Sequence, residues 1–536
     1  EFWSFGFRKT SKLHNFKTGS AMIMKIVSRP LLFFSLLTSL GHAFSGYAAT
    51  NNPGNNDTLF FEPFSVSHTE INPTGDLVAS IAEANDIETI RLTRIKSNDN
   101  FDLLTSRDLA SSKLTIAGMG WIDNDSLMIS AIIERKGLKQ IRNGKFSRSY
   151  FVVDIDTQTP QPAAIIRRVV TEGQVISLLP RQRDTILFAK PSTESKVYKI
   201  NTSTLSPISE KRSKTSLIDG GQFVRKNVVA SVDGFAMRWL ATEEGSIKAV
   251  MAANEDSAKM LIRANDSDNW ATLREWKYEK RSADKKSDQK EDSQAKKKDP
   301  EKVHYFPLAF GSNSQEFIVV SEDDDEEGDL YRYNYVTKAK QQLFAMPGAE
   351  ILDVEIDHTN NQLLAVSYLQ QSNVNYYYFD TQYDSTQKQL QQKYHGYSVY
   401  ITSSSPEGKY HTVLLMSPTE PGLSLAYDSS NQKATILSTA APWIDRKKLT
   451  DTTFGSVRRD GLDIEYLLSA PNTNGEKPPL LVMPHGGPFG VSDIRIYNPV
   501  IQYLSSHGYA VLQVNYRGSG GYGKKFFDAG KHQFGG

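Results

Sequence analysis

The sequence contains no cysteine in 536 residues. Disulfide bonds, thiolate nucleophiles, cysteine-ligated zinc and iron–sulfur clusters are therefore excluded, and covalent catalysis would need an oxygen or nitrogen nucleophile. An excess of one charge is also missing, because 62 Lys and Arg residues balance 61 Asp and Glu residues to a net charge of +1. A chain without a dominant field does not attract nucleic acid or an anionic membrane surface, so neither is expected as a partner.

Long apolar runs are scarce, and the N-terminal one, residues 31–40, has only 10 residues. As a helix it is about 15 Å long, half of a bilayer's hydrocarbon core, which does not favour a membrane anchor. Lys25 and Arg29 precede the run and small residues follow it, as in a secretory signal peptide; a buried core helix is the alternative. We interpret residues 1–23 as an upstream extension and 24–49 as a signal peptide. We therefore expect an exported protein, periplasmic or secreted, and no membrane contact after cleavage.

Between residues 59 and about 440, short β-rich runs alternate with turn clusters, and no long amphipathic helix is apparent. A unit of one strand, a turn and further strands recurs seven times, at a spacing of roughly 50 residues with one longer interval. The seven turns lie at 73–76, 123–125, 180–184, 233–234, 311–314, 357–361 and 406–408. Such periods are typical of β-propeller blades, so we assign residues 50–445 to a seven-bladed β-propeller, with a pair of β-sandwiches as the alternative.

Two charged segments interrupt this region. Residues 279–302 carry 16 charged side chains among 24, and burial in such a segment cannot offset the entropy of ordering it. We predict a solvated, disordered insertion there. The acidic run at 322–329 imitates the start of a calcium-binding loop, but Asn334 stands where that loop needs a bidentate Glu, so we predict a hairpin tip.

The pattern changes after Trp443. The sequence then predicts a hairpin at 458–468, a buried strand at 480–483, a helix within 494–508 and a strand at 509–514. A strand, a helix and a strand with short connections predict a parallel α/β unit, which is unlike everything before it. We assign residues 446–536 to the beginning of an α/β-hydrolase domain.

Two glycine-rich loops follow the predicted parallel strands, at 485–490 and 515–523. Ligands bind at the carboxyl ends of strands in open α/β sheets. A His-Gly-Gly loop after a strand supplies an oxyanion-hole N–H in α/β-hydrolases, because adjacent glycines let the backbone approach a reacting oxygen. The second loop can present a tyrosine hydroxyl toward the same point. Together the loops indicate acyl-transfer chemistry.

With these loops, and with Phe526, Ala529 and Gly530 after them, the chain resembles the prolyl oligopeptidase family of serine peptidases. The resemblance is to the dipeptidyl aminopeptidase and acylaminoacyl peptidase branch in particular. It implies a propeller, usually seven-bladed, that caps an α/β-hydrolase whose Ser, Asp and His cleave short peptides. A peptide substrate is the partner implied, no cofactor or metal is implied, and the oligomeric state stays open.

The resemblance also implies roles for individual residues. Tyr522 matches the family tyrosine that donates its hydroxyl to the tetrahedral oxyanion, and Gly487 matches the position that supplies a backbone N–H. One such donor is typically worth about 3 to 4 kcal/mol of transition-state stabilisation. We assign His485, Gly486 and Arg517 to substrate binding, with His485 as a loop organiser rather than a general base.

The sequence departs from the family in one respect, because no Gly-x-Ser-x-Gly nucleophile elbow occurs in the 536 residues. In the family this elbow, the Asp and the catalytic His follow the segment that ends the chain. We therefore expect a C-terminally truncated peptidase that is inactive by itself. Two alternatives stay open: a non-catalytic exported β-propeller binding protein with a vestigial hydrolase segment, and an esterase on the same fold.

Overall fold

The computed structural model describes most of the chain from residue 56 onward. Described are residues 56–62, 64–85, 87–110, 113–134, 146–157, 159, 161–169, 172–179, 182–208, 223–254, 256–266, 269–277, 305–311, 315–321, 329–346, 350–357, 362–487, 489–531 and 533. The predicted extension and signal peptide, the charged insertion at 279–302 and residues 322–328 of the acidic run lie outside them. No helix among the described residues has the length and apolar character needed to cross a membrane.

Seven antiparallel sheets follow one another along the chain, each built from one contiguous stretch. The first three contain β1 (Val66–Ile71), β2 (Leu77–Ala84), β3 (Ile87–Arg94) and β4 (Asp99–Thr105); β5 (Leu114–Trp121), β6 (Ser126–Glu134), β7 (Phe146–Asp156) and β8 (Ala163–Val169); and β9 (Gln174–Ser177), β10 (Thr185–Lys190), β11 (Glu194–Asn201) and β12 (Val228–Asp233). The fourth and fifth contain β13 (Phe235–Ala241), β14 (Ile247–Ala253), β15 (Ser257–Ile262) and β16 (Ala271–Lys277); and β17 (Tyr305–Phe310), β18 (Glu316–Ser321), β19 (Leu330–Asn334) and β20 (Lys340–Phe344). The sixth and seventh contain β21 (Ile351–Asp357), β22 (Gln362–Gln370) and β23 (Asn373–Tyr378); and β24 (Ser398–Ser404), β25 (Tyr410–Ser417), β26 (Glu420–Asp428) and β27 (Lys433–Thr439). A short helix, α1 (Ser106–Leu109), follows β4.

Six of the seven predicted turns fall, by residue number, between the first and second strands of a sheet, and residues 180–181, 312–314 and 358–361 of these turns lie outside the described residues. The prediction for residues 233–234 was wrong, because they connect the third sheet to the fourth, and the corresponding turn of the fourth sheet lies at 242–246. The Asp-Gly pair is a strong turn signal, and Gly234 does adopt a φ of +96°. Local turn chemistry does not say whether a turn joins strands within a sheet or between sheets.

Neighbouring sheets share hydrophobic cores. Each of these clusters has buried members from two neighbouring sheets: Leu92 and Phe151, Met128 and Phe188, Val197 and Val250, Ala249 and Phe317, Ile318 and Val366, and Leu369 and Tyr400. The first and seventh sheets are also connected, since Ser65 N donates to Ala440 O at 2.7 Å and Ile71 N donates to Ser403 Oγ at 3.2 Å. Each sheet thus contacts the next, and the last contacts the first.

A helix of 13 residues, α2 (Thr381–Lys393), lies between the sixth and seventh sheets. The sequence does not predict this helix, because its inward face consists of Thr386, Gln387 and Leu390 and gives almost no apolar periodicity. Its start is fixed by Asp380, whose side chain accepts hydrogen bonds from the N–H groups of Gln382 and Tyr383.

Replacing Asp380 with alanine should lower the free energy of unfolding by about 1 kcal/mol, because two N–H groups at the helix start lose their acceptor. Urea unfolding monitored by circular dichroism measures the change. Asp380→Asn keeps a capping oxygen and serves as the control, so it should unfold close to wild type. Equal loss in both variants would contradict a capping role.

The architecture changes after residue 451. The C-terminal sheet contains β28 (Thr452–Arg459), β29 (Leu462–Ser469), β30 (Leu480–Val482) and β31 (Ala510–Asn515), in the order β28-β29-β31-β30. It is accompanied by α3 (Pro499–Ser506) and α4 (Lys524–Asp528). β30 and β31 are parallel, and Asp460 and Gly461 turn with φ of 52° and 75°, so the predicted parallel unit and hairpin are confirmed.

Two predictions for this segment need correction. The strand at 480–483 was expected to be buried, but Leu480 and Val482 are 54% and 61% exposed, because β30 is the last strand of the described sheet. The helix begins at Pro499 rather than near Ile494, since Asn498 accepts hydrogen bonds from the N–H groups two and three residues later and so fixes the start. The apolar spacing before Pro499 belongs to a loop that packs on the sheets.

Candidate functional site

The two glycine-rich loops begin at the same edge of the C-terminal sheet, because β30 and β31 are parallel. They are hydrogen-bonded to each other: Gly490 N donates to Gly518 O at 3.0 Å, and Gly520 N donates to Val491 O at 3.2 Å. A Cβ at Gly520 would lie 2.8 Å from Gly490 O, which is closer than a side-chain carbon can approach. The loops therefore contact each other along their backbones, and this contact requires glycine at position 520.

His485 is held by the second loop. Its ring stacks on Tyr516 with centroids 4.4 Å apart, and its Nε2 lies 2.8 Å from Ser519 Oγ. Its Nδ1 lies 2.9 Å from Gly486 O, and the Tyr516 hydroxyl donates to the His485 carbonyl at 2.7 Å. Both ring nitrogens thus have protein partners, which is the arrangement of a residue that organises a loop.

Ser519 and His485 resemble a serine–histidine pair in distance alone. The Ser519 side chain has an exposure of 0%, and its Oγ also donates to Tyr516 O at 2.7 Å. A hydroxyl with no solvent contact cannot attack a peptide carbonyl, so Ser519 serves to shape the loop and hold the imidazole.

Gly486 and Gly487 form the exposed part of the first loop. Gly487 has a φ of +129°, a backbone conformation that residues with a side chain rarely adopt. Among the described residues, none accepts a hydrogen bond from the Gly487 N–H. This exposed donor at the carboxyl end of a strand is available to an oxygen that arrives from solvent.

Tyr522 has a different environment. Its ring packs against a buried cluster from the sixth and seventh sheets that includes Leu369, Tyr400 and Met416. Its hydroxyl donates to Glu465 Oε2 at 2.8 Å and accepts a hydrogen bond from Asn515 Nδ2 at 2.8 Å. Burial raises the pKa of Tyr522 well above its ordinary value, so the hydroxyl keeps its proton, which points to Glu465. The oxyanion role of Tyr522 stays a prediction.

Arg517 lies at the surface, where its Nη1 is 3.3 Å from Asp460 Oδ2. Exposed ion pairs of this kind contribute little to stability, and the substrate-binding role of Arg517 stays a prediction, as do those of His485 and Gly486. Elsewhere in the described part of the chain, no group of three or more His, Asp or Glu side chains is arranged to hold a metal ion.

Sequence reasoning missed Asp493, which lies behind the two loops. Its N–H donates to Asn515 Oδ1 at 2.8 Å, and its Oδ2 has no hydrogen-bond partner among the described residues. Burial raises the pKa of the Asp493 carboxyl, and the nearby His485 works in the opposite direction. No motif marks this aspartate, because its significance depends on a loop 22 residues further along the chain.

The sixth sheet contributes two more residues that no local pattern indicates. Glu350 Oε2 accepts a hydrogen bond from Gly521 N at 2.9 Å across 171 residues of sequence. Ser372 Oγ donates to Glu465 Oε2 at 2.9 Å, so it shares this acceptor with Tyr522. The second glycine loop is therefore held from both the C-terminal sheet and the sixth sheet.

Comparison with known proteins agrees with the geometry of the loops. Residues 496–536 match the prolyl oligopeptidase family, peptidase S9. Dipeptidyl peptidase family member 6 of Caenorhabditis elegans is 26% identical over 259 residues, which are 44% of this chain and 35% of that protein. The acylamino-acid-releasing enzyme of Sus scrofa is 44% identical over 70 residues, which are 13% of this chain and 9% of the enzyme. The matches thus span about a third or less of these relatives.

A solved structure shows the same fold over a longer stretch. A puromycin-hydrolyzing peptidase of Mycobacterium tuberculosis superposes with a TM-score of 0.53 at 14% identity, covering 90% of this chain and 71% of that one. At this identity the likeness concerns the fold alone. Over residues 496–536 the chain is thus similar to the prolyl oligopeptidase family, and dipeptidyl peptidases and acylamino-acid-releasing enzymes are among its homologues.

Proposed function

We propose that this chain supplies the oxyanion-binding part of a serine peptidase that hydrolyses short peptides by Ser-His-Asp acyl transfer. The observation that carries the proposal is the exposed Gly487 N–H, which has no acceptor among the described residues and follows a parallel strand. In such a reaction a serine attacks the scissile carbonyl, and the oxygen becomes an oxyanion. The Gly487 N–H would bind that oxyanion, and a donor so placed is typically worth about 3 to 4 kcal/mol.

In this proposal Tyr522 would be the second donor. Its hydroxyl now donates to Glu465, so it would have to leave that carboxylate to reach the oxyanion. The Gly487 N–H needs no such rearrangement. We therefore assign the larger share of oxyanion binding to Gly487.

The proposal places the nucleophile and its acid–base partners in residues outside the 536 of this sequence, since these include no Gly-x-Ser-x-Gly. His485 is not the general base, because Nε2 lies against the buried Ser519 and Nδ1 against Gly486 O. In this proposal His485 fixes the conformation of the first loop. Gly486 and Arg517 lie beside the bound peptide substrate.

We further propose that the seven sheets close into a propeller that admits only short peptides. Support comes from the cores shared by successive sheets and from the hydrogen bond between Ser65 and Ala440, which connects the first sheet to the seventh. Closure of a ring removes exposed strand edges, which gives a physical reason for the arrangement.

The decisive test compares two products: the 536-residue chain, and the product of the reading frame continued past codon 536. We expect the 536-residue chain not to hydrolyse aminoacyl or dipeptidyl anilides, and the product of the continued reading frame to hydrolyse them readily. In the product of the continued reading frame, replacing the serine of the nucleophile elbow with alanine should lower kcat about a million-fold.

Hydrolysis by the 536-residue chain itself would contradict the assignment of the nucleophile. A stop codon at this point, with no activity, would favour the non-catalytic binding protein. Turnover of p-nitrophenyl esters without turnover of anilides would favour the esterase.

A further inference from the structure

The loop at 515–523 is attached to the sixth sheet at two points. At the first, Gly521 and Glu350 exchange two hydrogen bonds: Gly521 N donates to Glu350 Oε2 at 2.9 Å, and Glu350 N donates to Gly521 O at 3.3 Å. A Cβ at Gly521 would lie 3.0 Å from Leu369 Cβ, so the loop approaches this sheet at the backbone level. The loop therefore adopts its shape against the sheet.

The second point is the hairpin turn between β22 and β23. Gln371 and Ser372 both have positive φ, of 51° and 54°, which is unusual for residues with side chains. Ser372 has an exposure of 0%, and its carbonyl accepts a hydrogen bond from Arg495 N at 2.8 Å. Positive φ at both positions is the type I′ geometry of a two-residue hairpin loop, and this turn presents the Ser372 hydroxyl to the C-terminal sheet.

At this hairpin, Ser372 and Tyr522 share their hydrogen-bond partners. Glu465 Oε2 accepts from both the Tyr522 hydroxyl at 2.8 Å and the Ser372 hydroxyl at 2.9 Å. The Asn515 amide has two protons and three acceptors in reach: Tyr522 OH, Ser372 Oγ and Asp493 O. Removing the Ser372 hydroxyl would alter the partners of both Glu465 and Asn515, and through them the position of Tyr522.

We propose that Glu350 and Ser372 are positioning residues, through which the sixth sheet sets the conformation of the 515–523 loop. The inference rests on the proposed function, because that function makes the loop part of the oxyanion site. It deepens the proposal in one respect: the α/β segment does not shape this loop by itself, and docking of the sixth sheet is required. Movement of the sheets away from the α/β segment would release the loop.

Hydrogen–deuterium exchange of the full chain tests this inference without any need for peptidase activity. In Glu350→Ala and Ser372→Ala, amides at 518–523 should exchange about tenfold faster than in wild type, as expected for the loss of a hydrogen bond in a local opening. Glu350→Gln keeps an acceptor oxygen and should restore wild-type exchange. Glu407→Ala, on an exposed turn of the seventh sheet, is the matched control and should change nothing at the loop.

Unchanged exchange at 518–523 in both alanine variants would overturn the inference. So would equally faster exchange throughout the chain, because it would indicate a general loss of stability rather than a local role. If Ser372→Ala fails to fold, the comparison of Glu350→Ala with Glu350→Gln decides alone. A negative exchange result would leave the peptidase proposal intact. Lack of activity in the product of the continued reading frame would leave the exchange result, and the positioning role of Glu350 and Ser372, intact.

Discussion

Replacing Glu355 with glutamine is expected to stabilise the protein at high pH and to leave its stability at low pH nearly unchanged. Glu355 lies on β21, where burial, with a smaller contribution from Asp353, raises the pKa of its carboxyl from 4.5 to about 8. A hydrogen bond with Tyr376 opposes this shift. The folded state therefore holds a proton at Glu355 over a pH range in which the unfolded chain has lost it.

The sign of the pH dependence follows from this difference in proton binding. Because the folded-state pKa is raised, the stabilising contribution is complete below pH 4.5 and is lost as pH rises through about 8. Glu355 keeps some contact with solvent, so we expect the loss to be about 3 kcal/mol, less than the full shift would give. Glutamine resembles the protonated carboxyl and carries no charge to desolvate, so the variant should not show this loss.

Urea unfolding of wild type and Glu355→Gln at about pH 5 and about pH 9 measures the effect. Arg238 lies near Asp353, and burial lowers the pKa of Arg238 to about 10, so it remains largely protonated over this interval. Glu407→Gln, at an exposed turn, is the control and should follow the wild-type pH profile. Parallel profiles for wild type and Glu355→Gln would show that Glu355 ionises in the folded protein as it does in the unfolded chain.

The second large effect is expected for Gly520→Ala. The new Cβ would meet Gly490 O, C and Cα at 2.8, 2.9 and 3.1 Å, and these are backbone atoms that cannot move aside as a side chain can. Separation of the two glycine loops should lower the free energy of unfolding by about 2 kcal/mol. It should also break the hydrogen bond from Gly520 N to Val491 O.

Gly486→Ala is the matched control for this substitution. Gly486 lies in the neighbouring loop, and a Cβ there would have nothing within 4 Å. Thermal and urea unfolding of both variants should therefore separate a close contact between loops from a general effect of replacing glycine in a loop. Equal stability of the two variants would show that the loops tolerate a wider separation.

The sequence was informative wherever a feature depends on neighbours in the chain. Alternating apolar residues and turn clusters predicted repeated antiparallel sheets, and Asp460-Gly461 predicted a hairpin. The two glycine-rich loops were located correctly at the ends of parallel strands. The family assignment followed from these loops, because their glycines and their order are a local signal.

Other features required the tertiary structure. Helix α2 has a polar inward face, so its periodicity is weak in the sequence. The exposure of β30 depends on its place in the order of the sheet. A local pattern could predict a strand there, but it could not tell a central strand from an edge strand.

By itself, the sequence determined the repeated sheets, the change to an α/β segment and the glycine-rich loop that contains Gly487, since each is specified by residues close together in the chain. Only the tertiary structure decided that the Tyr522 hydroxyl donates to Glu465 and that Ser372 shares this acceptor across 93 residues. The physical reason is that a hydrogen bond forms only after packing has brought its donor and acceptor together, and the pattern around either residue does not specify that packing.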